Sequence, residues 1–179
     1  SDRAGARAAL EQLVREHPYP YGQRWDDALM TLADMDIEDG QYDAAIARMQ
    51  LLVDRVESTT FIGGYILPSM VVAQLRIARI QNEHLHDYEA ADEAYHEFLD
   101  VFPLSIHRDD ALFENGVMWI EHEDVPRGCA LLERVVTEFD GTRARRAALA
   151  RMQTDCPEEY ADVVEEGDRQ TPRPPTPAA

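Results

Sequence analysis

The sequence predicts an all-α fold, a stack of antiparallel helix hairpins. Three observations carry this. Apolar residues recur at intervals of three and four through most of the chain, the period of an amphipathic helix. No run alternates with period two over a useful length, so no strand is predicted. The breakers between the runs are short, several of only two to six residues, and short connections make antiparallel neighbours.

The elements follow in order. Residues 4–16 carry Leu10, Leu13 and Val14 on one face. Residues 26–39 carry Leu29, Leu32, Ala33 and Ile37, and 42–56 carry Ala45, Ile46, Met49, Leu52 and Val53. The run 69–83 has Val72, Leu75, Ile77 and Ile80. Residues 88–101 hold Ala91, Ala94, Tyr95, Phe98 and Leu99, and 109–121 hold Leu112, Phe113, Val117 and Ile120. The run 126–139 begins with Pro126, whose missing N–H costs nothing in a first turn, and carries Leu131, Leu132, Val135 and Val136. Ala148, Leu149 and Met152 mark an eighth helix over 142–154. Beyond it, 157–168 is acidic and 171–179 holds Pro172, Pro174, Pro175 and Pro177, so 157–179 reads as a disordered tail outside the repeat core.

The helix pairs repeat. With Asp26, Val72 and Asp109 as first positions, position 4 holds Leu29, Leu75 and Leu112, and position 17 holds Tyr42, Tyr88 and Val125. Position 20 holds Ala45, Ala91 and Gly128; position 24 holds Met49, Tyr95 and Leu132; position 27 holds Leu52, Phe98 and Val135. A small residue at position 20 lets two helices approach, and the large residues fill the space around them. Ala6, Leu10, Leu13 and Pro18 fit a preceding half unit, and Ala148, Leu149 and Met152 a following one. Residues 1–156 thus read as one repeat domain with starts near 26, 72 and 109.

This register resembles the tetratricopeptide repeat (TPR), most closely at Gly40-Gln41-Tyr42-Asp43-Ala44-Ala45 and at Tyr88-Glu89-Ala90-Ala91 with Phe98 and Pro103. Position 8 departs from it, with Ala33 and Arg79 in two units and the expected Gly only at Gly116. The rhythm Phe98-Leu99 … Phe102-Pro103 … Ser105 … Asp110-Ala111 is similar to TPR units of bacterial envelope proteins of outer-membrane-assembly and Tol–Pal-associated type. The resemblance implies a right-handed α-solenoid, a non-catalytic protein–protein interaction scaffold, and a location in the periplasm or at the outer-membrane periphery. The alternatives are a cytoplasmic TPR adaptor or regulator domain, and an enzyme or metal-binding protein on a helical scaffold.

Charge sharpens the partner. Asp and Glu number 35 against 17 basic residues, all arginine, for a formal net charge of −18. Such a field repels nucleic acid and anionic membranes, and no apolar stretch is long enough to span a bilayer. No nucleophile elbow, phosphate loop, zinc motif or dinucleotide fingerprint occurs, so no catalytic residue, metal or cofactor is assigned. Glu83, His84, His86 and Asp87 read as a polar turn. Cys129 reads as a small buried hydrophobe; a framework of disulfides is excluded, and a single bridge to Cys156 stays open.

The TPR resemblance assigns a binding groove to positions 2, 5, 9, 12 and 13. These are Asp27, Met30, Asp34, Ile37 and Glu38; then Ala73, Arg76, Ile80, Glu83 and His84; then Asp110, Phe113, Val117, Ile120 and Glu121. Apolar and acidic groups mix along it, which suits a protein or peptide partner with apolar anchors and basic flanks. A second contact candidate is Phe61, Ile62, Tyr65, Ile66 and Leu67, an apolar stretch that is a contact site if it is a loop and core if it extends the next helix.

Overall fold

A computed structural model describes residues 2–19, 22, 24–55 and 67–170. Among them nine α-helices occur and no strand. They are α1 (Arg3–Glu16), α2 (Trp25–Glu38), α3 (Tyr42–Val53), α4 (Leu67–Ile80), α5 (Tyr88–Val101), α6 (Arg108–Glu121), α7 (Val125–Glu138), α8 (Arg143–Asp155) and α9 (Ala161–Gln170). A π-helical turn, Gln81–Leu85, prolongs α4, and a 3-10 turn, Glu158–Tyr160, precedes α9. The described helices are too short and too polar to cross a membrane.

The chain falls into two compact units, Ser1–Phe102 and Pro103–Ala179. In the N-terminal unit each helix packs on its successor from α1 through α5. In the C-terminal unit α6 pairs with α7, α7 with α8, and α6 also lies beside α8. The starts are written in the sequence. Asp87, Asp124 and Thr142 accept the N–H groups of Ala90, Arg127 and Arg145 at 3.1–3.2 Å, closing the first turns of α5, α7 and α8. Gly40, His86 and Glu123 all have left-handed backbone, with φ of 72°, 55° and 67°. Each stands two residues before the second helix of its hairpin, so the three hairpins turn alike.

Burial follows the repeat register. Leu29, Leu75 and Leu112 are in the core, as are Ala45 with Met49 and Leu52, Ala91 with Tyr95 and Phe98, and Leu132 with Val135. The closest approach is between α6 and α7. A Cβ on Gly128 would lie 2.6 Å from the Gly116 carbonyl oxygen and 2.9 Å from the Ile120 backbone nitrogen. Gly116 in turn leaves room for Leu132, whose Cδ2 would be 2.8 Å from a Cβ there.

One expectation changes. The segment after residue 156 is not all outside the core: Glu158–Tyr160 and α9 are helical, and Gly167 is buried. Composition misses this because the contact is a backbone approach. A Cβ on Gly167 would sit 2.5 Å from Leu149 Cδ2 and 3.2 Å from Val136 Cγ1. Arg145, itself buried, donates to the carbonyls of Val136 (3.0 Å) and Gly167 (3.4 Å). Residues 171–179 lie outside the described residues. The structure also decides the cysteine pairing that the sequence leaves open. Cys129 is buried as expected, and it is bonded to Cys156 with the Cα atoms 5.8 Å apart. The bridge fastens the middle of α7 to the end of α8.

Candidate functional site

In the N-terminal unit, α2 and α4 lie side by side. Ser69 Oγ donates to Asp26 Oδ2 at 2.9 Å, and Arg76 is ion-paired with Asp34. Both contacts advance together along the chain, so the two helices run parallel. The face they share carries Asp27, exposed, with Met30 and Ile37 half-buried. Val72, one turn before Arg76, is 43% exposed and joins this stripe. Ile80, assigned to the groove from sequence, is in the core at 4% exposure, as is Ala73, so neither is open to a partner. Glu83 and His84 are exposed on the π turn, and the His84 ring stacks on Tyr42 at 4.3 Å between centroids.

Much of the expected negative rim is already neutralised. Asp34 has Arg76, and Glu38 Oε2 accepts from Arg3 at 2.5 Å. Arg3 also reaches Asp39 Oδ1 at 2.9 Å and the Met35 carbonyl at 3.0 Å. Below them is Asp36, 3% exposed, bonded to Arg7 of α1 and at 2.5 Å to Arg48 Nε of α3. Burial works to raise the pKa of Asp36; hydrogen bonds and charge from Arg7 and Arg48 outweigh it and hold the carboxyl below its ordinary range.

The sign of the pH dependence follows. A carboxyl whose pKa is depressed by folding adds stability that is complete above its unfolded pKa, about 4, and is lost as pH falls through the folded value. Asp36→Asn is therefore expected to cost about 2 kcal/mol at pH 7, since it weakens charge-assisted hydrogen bonds to two arginines. The deficit should shrink below about pH 4. Urea unfolding of both proteins at pH 7 and pH 3 checks it; a deficit that does not change with pH would contradict it.

In the C-terminal unit, α6 and α8 are each antiparallel to α7 and hence parallel to one another. Arg151 Nη2 of α8 meets Glu121 Oε1 of α6 at 3.3 Å. One turn earlier on both helices stand Val117 and Ala147, both half-buried. Phe113 is half-buried one further turn along α6, and Asp110 carries His107 Nδ1 at 3.7 Å from its Oδ2. Ile120 is also half-buried, but it leans on α7: its Cγ1 would be 2.6 Å from a Cβ on Gly128. The sequence reading missed Ala147 and Arg151, which only the pairing of α8 with α6 brings to this face. Phe61, Ile62, Tyr65 and Ile66 lie outside the described residues, and Leu67 is the first residue of α4. Among the described residues, no three His, Cys, Asp or Glu side chains are grouped to hold a metal ion.

Residues 72–105 match the family model described as tetratricopeptide repeat. The match begins at Val72, the first position of the second unit in the register above, and spans α5 and all but the first turn or so of α4. No curated protein and no solved structure matches the chain. A tetratricopeptide repeat on a fold of consecutive helix hairpins suggests a protein–protein interaction scaffold.

Proposed function

We propose that the chain is a non-catalytic scaffold that docks a protein or peptide partner along the exposed faces of its first-of-pair helices. The partner supplies apolar anchors flanked by basic residues. The observation that carries this is the α6 face: Phe113 and Val117 lie half-buried beside Ala147, with Asp110 and Glu121 at either end. Small residues beside an aromatic leave a shallow apolar shelf, and the chain's net charge of −18 favours cationic flanks. The site is a bacterial envelope assembly or Tol–Pal-associated system, in the periplasm or at the outer-membrane periphery. The Cys129–Cys156 bridge supports an oxidising compartment, because cytosolic thiols are kept reduced.

Photo-crosslinking tests the reading. A photoreactive residue replaces Val117 in one variant and Ala130, exposed on α7, in another. We expect a protein adduct from position 117 in envelope extracts and little from 130. Equal yields from both, or adducts from 130 alone, would place the interface elsewhere.

A further inference from the structure

Helix α1 has no buried residue, and Leu10, Leu13 and Val14 are only half-covered. Polar contacts supply much of its attachment. Arg3 spans Glu38, Asp39 and the Met35 carbonyl, Arg7 spans Asp36 and Asp39, and Glu11 Oε1 takes Arg48 at 3.4 Å. Arg3 and Arg7 are four residues apart, so they stand on one side of the helix, one turn from each other. Their seat is the C-terminal end of α2, where the helix dipole adds negative potential.

We infer that this seat is an arginine-reading docking site, and that the occupant it fits is a helix presenting two arginines one turn apart, the place that α1 now fills with Arg3 and Arg7. The carboxylates of the site all come from outside α1. Asp36 is buried, and Arg48 from α3 holds its Oδ2, which leaves Oδ1 turned toward the incoming guanidinium. With α1 lifted, that oxygen loses its guanidinium and stands with Glu38 and Asp39 as a group of carboxylates that favours a replacement cation. The geometry selects arginine over lysine. Each guanidinium bridges two carboxylates at once, Asp39 receiving from both, and a single ammonium lacks that planar fork. The occupant is thus a basic amphipathic helix, and α1 is its internal competitor. This stands on the end of α2 and is independent of the α6 face.

The test uses the full chain and a labelled peptide with the sequence of residues 2–17 as probe. Arg3→Ala with Arg7→Ala weakens the internal occupant. This variant is expected to bind the probe at least tenfold more tightly than the unsubstituted chain, with binding lost when the probe's arginines at positions 3 and 7 become lysine. Equal binding by the two chains, or undiminished binding of the lysine probe, would overturn the inference. Should the variant misfold, hydrogen exchange on the unsubstituted chain decides. Between 50 mM and 1 M salt, α1 amides should exchange at least tenfold faster while α5 amides hold, because screening weakens exposed ion pairs. Unchanged protection of α1 would overturn it equally.

Discussion

Replacing Cys129 by Ala and Cys156 by Ser together is expected to lower the stability of the C-terminal unit by about 3 kcal/mol. The bridge spans 27 positions of sequence, and closing a loop of that length removes much of the freedom of the unfolded chain. In the folded state it ties α7 to the last residue before the turn into α9. The loss should therefore reach α9, whose seat on Leu149 and Val136 begins at that corner. Urea unfolding with and without a dithiol reductant gives the magnitude, and hydrogen exchange over 161–170 gives the reach. A change under 1 kcal/mol would mean that the pair is dispensable to the fold.

Gly128→Ala is expected to destabilise the C-terminal unit by about 2–3 kcal/mol, at the upper end for overpacking because backbone is what blocks the new methyl. The Gly116 carbonyl oxygen and the Ile120 nitrogen stand within 3 Å of where it would go, and neither can rotate away as a side chain does. The helices must separate, and Leu132 and Val135 then lose contact with α6. Ala45 and Ala91 occupy the same register position with a methyl already accommodated. The same substitution is thus tolerated in two hairpins and costly in the third. Thermal unfolding measures it; an unchanged midpoint would refute the α6–α7 register.

What could be read beforehand depended on whether the contact has a local signature. The hairpins were legible because Leu29, Ala45, Met49 and their counterparts recur at fixed offsets, and each offset corresponds to one face of one helix. The Cys129–Cys156 bond was left open because its spacing alone does not bring the two together; the antiparallel pairing of α7 with α8 does. Helix α9 was missed because Gly167 acts through what it lacks, and hydrophobicity does not register the absence of a side chain. At the candidate site, the alternation of acidic and apolar residues on α2 and α6 was visible. The partners of the acids were not: Arg3 lies 35 residues from Glu38, and Arg76 lies 42 from Asp34. Ile80 was misplaced because the three-four stripe of α4 is wide enough to serve both core and groove.

The neutralised rim also changes where the electrostatic steering must come from. Asp34 and Glu38 already answer arginines of the same chain, so reversing them would break internal ion pairs as well as any external ones. The apolar shelf is the cleaner handle, since Phe113 is only half-buried.

The most direct measurement of the central claim is the binding kinetics of the crosslinked partner, purified, with the native chain and with Phe113→Ala. If the α6 face is the docking surface, the substitution should raise the dissociation rate about tenfold and leave association nearly unchanged, as for a buried anchor. Dissociation at the native rate would contradict the account and move the interface off this face.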